Sequence, residues 1–338
     1  MTQGTALPTD TMAKRSEMEV TESLGRRERI RAVVNSSLVG AALVALVVLF
    51  SLLSPYFLSE SNIFRVLEQV SVVAVLAVGQ AFVIITGGID LSEAALVPLV
   101  GVISALVMNS QHSIVVGVAA GLAVGAGVGL LNGFLVTVPK LPPFIATLAT
   151  FSAADGTALL ATGGQPVFNL PSGFTNFGQG GLSVFPYMAI VAIAIAVLFQ
   201  FILARTTFGR HVYAMGSNPV AARLAGLHNA RISLMVYSIS GLLSGIGGML
   251  LTAFVSTAQP AVALNSELDA IAAVVIGGAS LFGGEGTIWG AMLGALLLAV
   301  LNNGTELLGI STYVQTVLLG VVVAVAVAVD NVRRKAEA

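Results

Sequence analysis

RTTFGRHVYAMGSNPVAARLAGLHNAR, residues 205–231, decides how this chain is read. It is the only long basic stretch between apolar runs, with Arg205, Arg210, Arg223 and Arg231 and no acid. Basic loops of membrane proteins stay on the cytoplasmic side, so this one is expected to face the cytoplasm. Its interior carries the signals of a short helix. Asn218 is a good N-cap, Pro219 suits the first helical position, and Gly226 is placed to end the helix. The helix predicted over 219–225, about two turns long, offers Ala221, Ala222, Leu224 and Ala225 as a small apolar surface. Arg223 adds a charge. A solvated loop helix has this pattern too, but the dense capping and small apolar face favour a docking element.

Outward from this loop the chain is almost entirely apolar. Of its 338 residues 56% are hydrophobic and 9% charged, and the mean hydropathy is +0.96. Soluble domains carry about 25% charged residues, so lipid must solvate most of this chain. The net charge of −1 gives no sign of nucleic-acid binding. The absence of cysteine excludes disulfides and thiolate metal or redox chemistry. His112, His211 and His228 are too scattered for a metal site. Residues 1–32 are polar, with Lys14, Arg15, Arg26, Arg27, Arg29 and Arg31 among several acids. They read as a cytoplasmic tail, since a secretory signal has a shorter basic region and a small-residue cleavage site.

A helical span needs about 20 apolar residues. Such runs fall at 33–53, 63–86, 91–108, 113–136, 143–162, 185–204, 231–256, 268–284, 287–304 and 312–330. They predict an all-α integral membrane protein with about ten transmembrane helices. The membrane domain is then 33–330, between the tails 1–32 and 331–338. With ten spans the N-terminal tail, Lys140, the 205–231 loop and the run Arg333, Arg334 and Lys335 all fall on the cytoplasmic side, with both termini. Eight spans fit almost as well if 268–304 contains a re-entrant unit. Residues 163–184, with no Lys, Arg, Asp or Glu, become the longest external segment. It is either a plain connection or an outer gate or binding surface.

Gly117, Gly121, Gly125, Gly129 and Gly133 recur every fourth residue, which places all five on one helix face. Small residues at that spacing let a neighbouring helix approach closely. The Gly125-x-Gly127-x-Gly129 pattern follows no strand, so packing rather than nucleotide binding explains it. Leu131-Asn132 precedes Phe144-Ile145 at the interval by which Leu301-Asn302 precedes Val314-Gln315. An odd number of spans separates the two asparagines, as an inverted repeat requires.

Polar residues near the spans are the candidates for a path. In GGIDLSE (87–93) two glycines loosen the backbone beside Asp90. Asp90 or Ser92 would cap the third helix, or mark a broken helix lining a path. Glu267 and Asp269 open the eighth span, where acids meet the helix dipole favourably; direct substrate contact is the alternative. Gln80, Asn132, Asn302 and Asn303 must each find a hydrogen bond, either to another helix or to a hydroxylated solute. Trp289 is expected at an interface. No G-x-x-x-x-G-K-[ST] loop occurs, and no Lys or Arg lies deep in a span. Energy is therefore expected from elsewhere, with no cofactor bound by this chain.

Several long stretches in order resemble the membrane permeases of bacterial ABC sugar importers of the ribose/xylose/arabinose type. They are GGIDLS (87–92), NGFLVTVPKLPPFIATLAT (132–150), LLATGGQPV (159–167), FGRHVYAMGSNPVAARLAG (208–226), ELDAIAAVVIGGASLFGGEGTIWGA (267–291) and LNNGTELLGI (301–310). The resemblance runs from about Asn62 to Asp330 and implies a ten-span fold like the cobalamin-importer class. It implies two copies forming one path in the bacterial inner membrane, a cytoplasmic ATPase that uses ATP and Mg, and an extracytoplasmic sugar-binding protein. It further implies a coupling segment holding Gly216, Asn218, Pro219, Ala221, Ala222, Arg223 and Gly226. Path candidates are Gln80, Asp90, Asn132, Phe144, Glu267, Asp269 and Asn302. The chain departs from the family pattern in Glu93 and Ala94 after GGIDLS, and in Pro219 and Val220 where acids commonly precede Ala-Ala-Arg. A branched-chain amino-acid permease of related fold and a self-contained secondary carrier are the competing readings.

Overall fold

The computed structural model describes residues 39–261 and 266–335; the tail 1–32 and the start of the first span lie outside them. Among the described residues most are helical, with one short hairpin and one isolated bridge besides the connecting turns. Seven helices are long and apolar enough to cross a membrane. They are α2 (Glu60–Ile85), α3 (Glu93–Gln111), α4 (Ile114–Thr137), α5 (Pro143–Thr162), α7 (Tyr187–Arg205), α10 (Asn229–Val255) and α12 (Ile288–Leu307). Two shorter apolar helices, α1 (Val39–Leu53) and the Thr312–Val325 part of α13 (Thr312–Lys335), flank them.

The core is α2 against α10, α7, α11 (Ser266–Ile276) and α12, and α10 against α3 and α4. Buried alanines and valines dominate it, with glycines at the closest helix approaches, and this small-residue packing replaces the hydrophobic drive that lipid removes. The α4 glycines behave as their spacing predicts. Gly117, Gly121, Gly125, Gly129 and Gly133 are buried on a helix otherwise largely uncovered. A Cβ on Gly125 or Gly129 would strike the backbone of Gly241 or Tyr237 on α10.

One expected span is corrected. Residues 268–284 do not form a membrane-crossing helix. The helix there, α11, has 11 residues, about 16 Å against a hydrocarbon core of about 30 Å. Beyond it Gly278, Gly283, Gly284 and Gly286 all have positive φ, a backbone that glycine adopts without strain and that a helix cannot contain. Residues 163–184 are more ordered than a plain loop. They hold α6 (Ser172–Gln179) and β1 (Gly181–Leu182), which forms a hairpin with β2 (Phe185–Pro186) just beyond them. Val167 also pairs with Ala258 beyond α10.

Candidate functional site

Asp90 and Asn132 come together in a buried polar network that joins four helices. Thr150 Oγ1 on α5 donates to Asn132 Oδ1 on α4 (2.6 Å). Asn132 Nδ2 donates to Ser92 Oγ (2.8 Å), and Ser92 Oγ donates to Asp90 Oδ1 (2.6 Å). Ser240 Oγ on α10 donates to Asp90 Oδ2 (2.8 Å) and lies 3.1 Å from Glu93 Oε1. Its single proton serves one of the two carboxyls at a time. Asp90, Ser92, Asn132 and Ser240 are all at most 1% exposed. The expected cap is not what the structure shows. Neither Asp90 nor Ser92 caps α3 through its side chain, because Asp90 Oδ1 instead takes both the backbone N–H and the hydroxyl of Ser92.

The other path candidates sit elsewhere. Gln80 on α2 is fully buried, and neither atom of its amide has a partner. Phe144 on α5 is 49% exposed. Asp269, in the first turn of α11, leaves Oδ1 buried without a partner. The Glu267 side chain lies outside the described residues. Asn302 is half-buried, and its neighbour Asn303 is the one that exchanges two amide hydrogen bonds with Asn62 (2.8 and 2.9 Å). Sequence reasoning missed Thr150, Ser240 and Asn62 as partners. Only their polarity within apolar runs marked them.

The basic loop folds as its capping signals predict. It holds α8 (Thr207–Ser217) and α9 (Pro219–Leu224), with Asn218 Oδ1 accepting from the N–H groups of Val220 and Ala221. Gly226 takes a φ of +87°, and Asn229 Nδ2 ties α10 back to the Pro219 carbonyl. Ala221, Arg223, Leu224 and Ala225 are exposed. Ala222 corrects the expected apolar face: it is buried, while Val220 and Leu224 are 56% and 83% exposed.

Gly216, near the end of α8, lies where three segments meet. A Cβ there would strike the Ile85 carbonyl at the end of α2 and lie 2.6 Å from Gly284 N. The glycine-rich segment 277–287 is pinned at the same place. Gly284 N–H donates to Ile85 O (2.8 Å), Tyr213 Oη on α8 donates to Gly286 O (2.6 Å), and Gln200 Oε1 on α7 accepts from Ile288 N–H. Burial pushes the Tyr213 hydroxyl up to about 12, so it remains a donor. The α8–α9 unit therefore touches both α2 and the segment that leads into α12.

Long apolar helices thus surround a buried polar network, and beside the bundle stands a capped helix that bears exposed apolar side chains. The chain belongs to the family described as branched-chain amino acid transport system / permease component, whose sequence model matches residues 62–327. It is 41% identical over 297 residues to the ribose import permease protein of Escherichia coli (strain K12), covering 86% of this chain and 92% of that one. The ribose import permease protein of Bacillus subtilis (strain 168) is 42% identical over 291 residues, covering 86% and 90%. The L-arabinose ABC transporter permease protein of Azospirillum brasilense is 34% identical over 301 residues, covering 89% of each. The resemblance to permeases of sugar importers is borne out by these relatives. No solved structure matches the chain.

Proposed function

We propose that this chain is the permease subunit of an ATP-driven importer of a monosaccharide and forms the translocation path by alternating access. The observation that carries this is the 41% identity to a ribose import permease over 86% of the chain. A separate cytoplasmic ATPase, using ATP and Mg, docks on the exposed side of α9 through Val220 and Leu224. Its stroke passes through α8 and Gly216 to the end of α2 and the 277–287 segment. From there it reaches the Gly87–Gly88 turn and the Asp90 network, which opens or closes the path. Asp90 and Asn132 are linked through the Ser92 hydroxyl in this conformation, as befits a closed gate. Gln80, Phe144, Glu267, Asp269 and Asn302 are the further path candidates.

Two copies form one path in the bacterial inner membrane, and an extracytoplasmic binding protein delivers the sugar. In this reading α1, α13 and the half-length α11 complete about ten membrane-inserted helices, with both termini cytoplasmic. The bundle is an inverted repeat of the cobalamin-importer class. Gentle affinity purification from native membranes tests the coupling. A P-loop ATPase should co-purify, and should be lost when Leu224 is replaced by Asp. A chain that purifies alone and transports under an ion gradient would contradict the reading. The family description favours one other solute class, branched-chain amino acids; ATP-driven uptake of leucine in place of sugar would establish it.

A further inference from the structure

Asp155 is the only ionisable residue of α5. It stands about 18 Å along the helix from Pro143 and about 10 Å from Thr162, well inside a hydrocarbon core of about 30 Å. The helix buries Ala146, Thr147, Thr150, Ala154 and Ala158 against α3 and α4. Phe144, Leu148, Ser152, Asp155 and Leu159 follow one another at three- and four-residue steps and form a separate stripe. Four of these five are exposed and Asp155 is half-buried. Next to it, a Cβ on Gly156 would meet open space. Among the described residues nothing pairs with the Asp155 carboxylate. An unpaired acid at that depth is costly in lipid and is found facing water or a solute pathway.

We propose that Asp155 lines the aqueous translocation path, where its carboxylate accepts hydrogen bonds from the hydroxyls of a neutral sugar and repels anionic sugars. This rests on the permease reading above. Leu159, one turn further along the same stripe and about 6 Å from Asp155 along the helix, presents an apolar wall to the C–H side of the ring, while Phe144, about 16 Å away, lines another part of the path. A sugar is held there by one charged acceptor and one apolar wall, which selects for polyhydroxylated neutral solutes over apolar amino acids.

The chain has no cysteine, so single-cysteine variants report one position each. They are read in the complete transporter, with its ATPase and binding protein, in proteoliposomes. Asp155→Cys and Ser152→Cys should react with a membrane-impermeant methanethiosulfonate, and saturating ribose should slow the Asp155→Cys reaction about fivefold. Val197→Cys, on the uncovered apolar face of α7, should not react. Asp155→Asn should raise the KM for ribose about tenfold, and Asp155→Glu should restore most of it. An Asp155→Cys variant as unreactive as Val197→Cys, or an Asp155→Leu variant with the parent KM, would overturn the proposal. Parent transporter that carries no ribose, arabinose or allose, with the thiol still reactive, would instead reject the sugar reading and leave the path standing.

Discussion

At the scale of single residues, a few buried hydrogen bonds hold the helices in register. Ser240 reaches a carboxylate across 150 positions of chain, and hydrogen bonds to charged groups are worth about 1.5–3 kcal/mol. Ser240→Ala should therefore lower stability by about that amount, seen as a fall in the thermal midpoint of the purified protein. The Asn62–Asn303 pair is neutral, and interhelical bonds of this kind average about 0.6 kcal/mol in membranes. Asn303→Leu, which also orphans Asn62 Oδ1, should cost about 1–2 kcal/mol. Tyr213 adds a pH signature. Its hydroxyl is raised to about 12, against about 10 in an unfolded chain. The stability it contributes is whole below pH 10 and is lost as pH rises through the folded value. Tyr213→Phe should abolish the part of the alkaline destabilisation that falls between the two values. None of these partnerships was legible in the sequence. A serine or threonine in a span more often bonds its own preceding turn, as Ser244 does with Ser240 O, and nothing local says which one reaches across.

At the scale of elements the sequence was more readable, because helix ends and apolar runs are local chemistry. Asn218, Pro219 and Gly226 marked α9 to within a residue, and seven apolar runs became long helices close to their expected bounds. The eighth run failed because hydropathy scores side chains and not backbone conformation. It is blind to the positive φ that Gly278, Gly283, Gly284 and Gly286 adopt. Their density was the signal that a helix would stop. Packing gives two expectations at this scale. Gly129→Leu should drive α4 off α10 and cost about 3 kcal/mol or more, measured as loss of folded protein in detergent. Leu224→Asp lies on an exposed position, so folding and sugar binding should be unaffected while ATP-driven uptake falls at least tenfold, an effect of about 1.4 kcal/mol on coupling.

For the whole molecule, two sites flank the seat where the backbones of Gly216, Gly283 and Gly87 pack together. One is the polar girdle around Asp90, closed by Asn132, Ser92 and Ser240. The other is the α8–α9 unit, whose Gly216 seats against Ile85 and Gly284. The glycines at that seat permit close contact, and in the proposed mechanism displacement passes through them because no side chain cushions it. Ala222 lies on the buried side of α9 and packs the helix against the rest of the chain. The central claim is that this chain carries sugar only when a separate ATPase drives it. The measurement that tests it most directly is uptake of labelled ribose by proteoliposomes containing the chain and its binding protein, with and without the ATPase. The account predicts uptake that requires both the ATPase and hydrolysable ATP, and that is competed by arabinose or allose but not by leucine. Uptake by the chain under an ion gradient alone would contradict it.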